Sequence, residues 1–295
     1  MKIKTNNQKN NIDLPLIYSG KIRDVYDLGQ NYLIVASDRI SVFDHVIPTI
    51  IPNKGKILHK LSMFWFDFVQ NIMPNHIITG DFNTFPTMLK KYEYLRDRSM
   101  IVKKANRINI ECIVRGYLTG SGWQEYKKFQ TVCGVKLPVG LKESSKLSKA
   151  IFTPSIKKNK KHDENISFQK MLKKVEQTTA ENLRKYSITL YEKVKEYSAS
   201  RKIILADTKL EFGFYDDQLI LIDEIFTPDS SRFWEIDKYE EGKFQDGLDK
   251  QYVRDYLEYI KWNKLLPIPY LPKDVVEKTI KKYISVYEKL TGKIF

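Results

Sequence analysis

With 295 residues, 42% of them hydrophobic and 13% aromatic, the chain has room for one large domain or two modest ones around a packed core. Its formal net charge of +14 admits a nucleic-acid partner, but the excess is lysine scattered among asparagine, isoleucine and tyrosine, and a basic field serves a phosphorylated small substrate equally well. The two cysteines, Cys112 and Cys133, lack CxxC spacing, the first fifteen residues lack the apolar core of a secretory signal, and no run reaches the length of a membrane span, so the expectation is a soluble, cytoplasmic protein with no nucleic-acid or membrane partner.

Short strands are predicted first, at residues 16–18, 24–27 and 32–37, the last an apolar run of buried-strand length. A helix follows over about 56–72, where Leu58, Leu61, Trp65, Phe68 and Ile72 recur at steps of three and four and Pro74 stops the run. His59 is expected on the exposed side of that helix. Further strand-like runs cover 99–103 and 108–115. Gly116, Gly120, Gly122, Gly134 and Gly140, with Pro138, mark a loop-rich middle. The polar stretch 151–167, with Pro154 and the lysine run 157–161, reads as a long surface or lid loop. A long helix is predicted over about 179–197, with Thr178 and Glu181 at capping-box spacing. Strands at 202–207, 210–215 and 219–225 come next, the last two forming a hairpin around Asp216-Asp217-Gln218. A final helix carries Val276, Ile280, Tyr283, Tyr287 and Leu290 on one stripe, behind a second capping box at Asp274 and Glu277. The pattern is α/β of the α+β type, with substantial antiparallel sheet.

Four clusters of charged and small residues bear on function. Asp207, Lys209 and Glu211 share one face if a strand runs through them. With a three-residue turn, Glu211 lies opposite Asp223, and the two carboxylates suit one hard cation such as Mg²⁺; a two-residue turn sends Asp223 to the far face. Between the first strands, Gly20-Lys21-Ile22-Arg23 offers backbone N–H groups and cations to a polyphosphate, without being a Walker A loop. Arg115, with Gly116, Gly120, Ser121 and Gly122, has the residue types that grip a phosphate monoester. Thr227-Pro228-Asp229-Ser230-Ser231-Arg232 forms a polar turn after the hairpin. His45, His59, His76 and His162 are too dispersed to be a ligand set, and no Ser-His-Asp or Cys-His arrangement stands out.

In their order these clusters strongly resemble the SAICAR synthase family, in its longer, yeast-like branch. The matching segments are Gly20 to Tyr26, Ser37-Asp38-Arg39-Ile40-Ser41-Val42-Phe43-Asp44, Glu111 to Ser121, Ile151-Phe152-Thr153-Pro154-Ser155, His162-Asp163-Glu164-Asn165, Asp207-Thr208-Lys209-Leu210-Glu211-Phe212-Gly213, and Asp223-Glu224 through Thr227 to Trp234. The lysine run 157–161 departs from the family pattern, in a loop where variation is expected.

The resemblance implies a β-rich N-terminal lobe over residues 1–104, a larger α/β lobe over 105–270 and a C-terminal helix over 271–295 packed on the body, related to kinase and ATP-grasp architectures with ATP in the interlobe cleft. It implies an ATP-dependent ligase of purine biosynthesis, acting on the small molecules ATP, L-aspartate and 5-amino-1-(5-phospho-D-ribosyl)imidazole-4-carboxylate (CAIR). The expected products are SAICAR, ADP and phosphate, by way of an acyl phosphate; a small-metabolite kinase of related fold is the alternative. By the same resemblance Gly20, Lys21, Arg23, Val102 and Lys103 serve ATP, and Glu211 and Asp223 hold Mg²⁺ at the ATP phosphates. Arg115, Ser121 and Arg232 hold the CAIR phosphate, with Asp207 and Lys209 facing the imidazole ribonucleotide. Lys21, Arg23, Asp207 and Lys209 are then the catalytic set. Asp38, Arg39 and Ser41 fall in the aspartate region, and the assembly is a monomer or small homo-oligomer.

Overall fold

The structure is a computed structural model that describes residues 12–156 and 164–295. The lysine run 157–161 and the His162-Asp163 pair lie outside the described residues. The first sheet is built from β1 (Leu16–Ser19), β2 (Arg23–Leu28) and β3 (Asn31–Ala36). Next come a two-strand ribbon, β4 (Ser41–Val42) and β5 (His45–Val46), and helix α1 (Lys54–Phe68). The sheet is completed by β6 (Ile77–Thr79) and, after the short α2 (Thr87–Lys90), by β7 (Ser99–Lys103), in the order β1-β2-β3-β7-β6. β3 lies at the centre because Leu33, Ile34, Val35 and Ala36 are all buried there.

The second sheet takes β8 (Asn106–Arg107), β9 (Cys112–Tyr117) and β12 (Lys146–Phe152) from the middle of the chain. Helix α3 (Gly120–Phe129) and the β10 (Thr131–Val132) and β11 (Val135–Lys136) ribbon stand between the last two. A small ribbon of β13 (Ser155–Ile156) and β14 (Glu164–Asn165) and helix α4 (Phe168–Met171) lead to the long α5 (Gln177–Ser200). Strands β15 (Ile203–Tyr215), β16 (Gln218–Ile222) and β17 (Ser231–Glu235), then helices α6 (Gln251–Tyr259) and α7 (Lys273–Thr291), complete the chain. β15 is the spine of this sheet, pairing antiparallel with β9, β16, β17 and β8. Helix α5 lays Leu183, Leu190, Tyr191 and Val194 on the sheet, at the helical spacing expected of a buried stripe.

Several expectations need correction. α1 ends at Phe68, one turn early, where Val69 caps it through backbone bonds. His59 is buried, because the chain at Gly80 covers that flank of the helix and its carbonyl meets the His59 ring at 3.2 Å. Neither capping box forms: α5 starts after Glu176 and α7 after Pro272, without a side-chain cap. Gln177 instead donates to Glu181, and Lys273 pairs with Glu277. The 151–167 stretch is not simply loop, since Ile151 and Phe152 pair with Arg115 and Val114, and Ser155 and Ile156 with Asn165 and Glu164. The strands expected at 202–207 and 210–215 are one continuous strand, β15.

Candidate functional site

A cleft of about 540 Å³ opens between the two sheets. Gly20, Lys21, Arg23, Tyr32, Ile34, Val102 and Lys103 line it from the first sheet. The facing wall presents Glu111, Lys209, Glu211, Asp223 and Glu224, with Lys250 and Arg254 at the start of α6. Behind the cleft the lobes are tied by backbone bonds: His76 N–H donates to Leu221 O and Leu221 N–H to Pro74 O, each at 3.0 Å. Burial lowers His76 to about 3, so this imidazole stays neutral.

The Gly20–Arg23 turn closes through the Gly20 N–H, which donates to Arg23 O at 2.7 Å. Arg39 braces it from behind, donating to the carbonyls of Gly20 and Lys21 and to both oxygens of Asp24. Asp38 accepts from the Gly55 N–H and from Arg98, fixing the start of α1. Of the three residues expected in the aspartate region, only Ser41 reaches the cleft lining. Lys21 pairs with Asp44 across the cleft mouth.

Arg23 is the link between the lobes. Its Nη2 lies 2.6 Å from Asp223 Oδ2 and its Nη1 2.8 Å from Glu224 Oε1. The turn that delivers Asp223 has two residues: Asp216 and Asp217 both have positive φ, and Tyr215 pairs with Gln218. In that register Glu211 faces Ile222, and a continuing strand would carry Asp223 away from the cleft. β16 stops at Ile222, however, and Asp223 adopts φ +67°, which turns its side chain back to the cleft wall. Burial raises the Asp223 pKa, with Glu211 and Glu224 adding repulsion against the pull of Arg23.

The alternation expected along β15 is present. Lys209 lies 2.8 Å from Glu111 and 3.5 Å from Glu211. Burial disfavours its ammonium form, but Glu211 and Glu111 outweigh that and raise its pKa above the ordinary lysine range. Two residues earlier, Asp207 sits directly opposite both Arg115 on β9 and Arg232 on β17. Its Oδ2 accepts from Arg115 Nη1 at 3.3 Å and from Arg232 Nη1 at 2.5 Å. Arg115 also donates to Ser121 Oγ and Thr153 Oγ1. Ser121 lies in the first turn of α3, whose first N–H groups have no partner within the helix and favour an anion. Gly120, at φ +54°, leaves the room Arg232 uses, since a Cβ there would lie 2.5 Å from Nη2.

Among the described residues no three His, Cys, Asp or Glu side chains are arranged to hold a metal ion. Glu211 and Asp223 both line the cleft, and two carboxylates are a donor set that fits Mg²⁺, a hard cation that keeps several waters. The crowding of Asp223 by Glu211 and Glu224 leaves negative charge that a cation offsets.

Sequence reasoning overlooked Lys250 and Arg254, whose i, i+4 spacing was the one available signal. Glu111, Glu224 and Asp229 stood inside the quoted motifs but received no role.

A family model of SAICAR synthetase matches residues 16–268. A phosphoribosylaminoimidazole-succinocarboxamide synthase of Thermodesulfovibrio yellowstonii is 50% identical over 278 residues, 94% of this chain and 95% of that protein. Its counterpart from Desulfatibacillum aliphaticivorans is 52% identical over 283 residues, 95% of each chain. Among solved structures, the SAICAR synthase of Saccharomyces cerevisiae complexed with SAICAR superposes with a TM-score of 0.89 at 43% identity, covering 98% of this chain and 99% of that one.

Proposed function

The chain belongs to the SAICAR synthetase family, and from that premise we propose how the residues of its cleft divide the work. It is an ATP-dependent ligase of purine biosynthesis that joins the CAIR carboxylate to the amine of L-aspartate. The small-metabolite kinase reading is thereby displaced.

A carboxylate is a poor electrophile and must be activated before an amine attacks it. In the proposed route a CAIR carboxylate oxygen attacks the γ-phosphorus of ATP, ADP leaves, and an acyl phosphate remains. The aspartate nitrogen then forms the amide bond as phosphate departs. Gly20, Lys21 and Arg23 receive the ATP phosphates, and Val102 and Lys103 form the edge against which adenine rests. Arg115, Ser121 and Arg232 hold the ribonucleotide phosphate, while Asp207 and Lys209 orient the ribonucleotide between that pocket and ATP. Glu211 and Asp223 are the residues that would hold Mg²⁺, which when bound offsets charge on the phosphates. Arg23 and Lys209 hold their cationic charges in place before reaction, so little reorganisation is required as charge moves. The protein otherwise aligns anions that repel one another in water.

The observation that carries this reading is the single strand β15. Asp207, between two arginines, and Glu211, in the interlobe cleft, are separated on their shared face only by Lys209. An anchored phosphate monoester thus lies within one small molecule's reach of the nucleotide cleft. We extend the proposal to a cytoplasmic setting, with which two buried free thiols agree; among the described residues no helix is long and apolar enough to cross a membrane.

The test is ADP release with ATP, Mg²⁺ and CAIR, with and without L-aspartate. Aspartate-dependent ADP matched by equal SAICAR is expected. Exchange of ¹⁸O from the β,γ-bridge of ATP to a non-bridging β-oxygen, requiring CAIR but not aspartate, is expected of the acyl-phosphate route, and its absence would overturn that route.

A further inference from the structure

Lys250 has no role in the assignments above, yet it lies on the cleft wall. Its Nζ sits 3.3 Å from Asp229 Oδ2, the oxygen that also receives Lys54 Nζ at 2.5 Å. Tyr283 donates its hydroxyl to Oδ1 of the same carboxylate at 2.7 Å. One carboxylate therefore answers two ammonium groups and a phenol. The Lys54 and Asp229 side chains are sealed from solvent, whereas Lys250 keeps 7% exposure, facing the cleft. A desolvated lysine beside a second cation gives up its proton more readily than one in water.

The groups facing Lys250 come from every neighbouring element. They are Lys54 from α1, Asp229 and Glu224 from the segment after β16 and Arg254 from α6, with Tyr283 from α7 bound to the far oxygen of Asp229. Burial lowers Lys250 to about 8, with Asp229 and Glu224 opposing and Lys54 and Arg254 assisting.

The ligase reaction requires a proton acceptor at this stage, because nitrogen must lose a proton as the amide forms. The cleft carboxylates are already committed: Glu211 and Asp223 are the pair assigned to Mg²⁺, while Glu224 pairs with Arg23, Glu111 with Lys209, Asp44 with Lys21 and Asp229 with Lys54. We propose that Lys250, in its neutral form, accepts the proton of the attacking aspartate amine. The amine, having shed its ammonium proton to solvent, forms the C–N bond, the acyl C–O bond breaks with its electron pair leaving on phosphate, and the remaining N–H proton passes to Lys250 Nζ, which later returns it to solvent. This assignment rests on the acyl-phosphate route above.

The decisive variant is Lys250→Arg, which keeps the positive charge and does not deprotonate. In the native enzyme kcat rises with pH through about 8, as the neutral lysine becomes populated. In Lys250→Arg that rise disappears and kcat falls about 100-fold or more, while CAIR-dependent positional isotope exchange in ATP continues. A native kcat with a raised KM for aspartate overturns the proposal and makes Lys250 a carboxylate-binding cation. Loss of the exchange in Lys250→Arg overturns it as well, since the residue is then needed before aspartate acts. Absence of exchange in the native enzyme instead sinks the acyl-phosphate route, whatever Lys250 does. Should Lys250→Arg not fold, Lys250→Cys alkylated with 2-bromoethylamine decides. Native enzyme carried through the same alkylation controls for reaction at the two native thiols, Cys112 and Cys133. The resulting thioether amine is less basic than lysine, so recovered kcat with its pH inflection moved below the native one supports the proposal, and an unmoved inflection overturns it.

Discussion

Two clusters of arginine on carboxylate lie at opposite ends of one strand segment, and they are built differently. Around Asp207 the partners are cross-strand neighbours: Arg115 and Arg232 lie directly opposite it on either side of β15. Around Asp223 the partner is Arg23, 200 residues away on the other lobe. The first cluster is set as soon as the sheet forms. The second exists only while the lobes face each other across the cleft. On the proposed assignments the division suits the chemistry: a preset anchor grips the phosphate monoester, and the polyphosphate lies where the two sheets face each other. Substitution in the sheet cluster should thus register mainly in stability and ribonucleotide affinity, and substitution at the seam mainly in turnover.

The largest effect is expected at the seam. Glu211→Gln keeps the shape and hydrogen-bonding reach of the side chain and removes its charge, and Lys209 retains Glu111 as a partner. Turnover should fall about 100-fold or more, with the thermal midpoint little changed. A Mg²⁺ titration of the residual activity checks the metal assignment. Unchanged turnover at limiting Mg²⁺ would remove Glu211 from that role and blur the contrast between the clusters.

Asp207→Asn probes the sheet cluster and should destabilise the fold by about 3 kcal/mol, because Arg115 and Arg232 are left in a buried site without their anion. The sharper part of this prediction concerns rescue. Inorganic phosphate should restore much of the loss, since two unneutralised guanidiniums at a helix N-terminus make a site for it. Urea unfolding with and without phosphate measures both. A variant as stable as the native protein would show that the sheet cluster is no more preset than the seam.

The clusters also differ in how far they could be read from residues alone. Period two along a strand was enough to place Asp207, Lys209 and Glu211 on one face. Asp223 was not readable in the same way. Its position depends on a two-residue turn, a strand that stops at Ile222 and a positive φ on a non-glycine residue, none of which composition signals. Helical stripes were legible for the same reason as strand alternation, but what covers a helix flank is a tertiary matter, as His59 shows. The family resemblance put Asp38 and Arg39 in the aspartate region; in the folded chain Arg39 meets backbone carbonyls and Asp24, and Asp38 meets the Gly55 N–H and Arg98, contacts that no local pattern encodes. Lys250 and Arg254 share a helix face by their i, i+4 spacing, but they belong to the cleft through the docking of α6, which that spacing does not encode.

Gly120→Ala tests the packing inside the sheet cluster. The residue has φ +54°, where alanine is strained, and an added Cβ would lie 2.5 Å from Arg232 Nη2. Displacing that guanidinium should raise the CAIR KM about tenfold, equivalent to about 1.4 kcal/mol, and leave the ATP KM near its native value. Equal changes in both would mean that the anchor and the nucleotide cleft are coupled rather than separately built.

The smallest effect is expected from Ser121→Ala, and it separates positioning from binding. Ser121 Oγ accepts from Arg115 Nη2 at 3.1 Å, while the same guanidinium keeps Asp207 and Thr153 as partners. Loss of one of several hydrogen bonds to a partly satisfied arginine should lower stability by about 1 kcal/mol or less. If the hydroxyl also meets the ribonucleotide phosphate, the CAIR KM rises about fivefold with kcat unchanged, because an interaction present equally in ground and transition states affects binding alone. A fall in kcat at constant KM would instead mean that Ser121 aims Arg115 at the reacting geometry, and that the rigid cluster contributes to turnover as well as to anchoring.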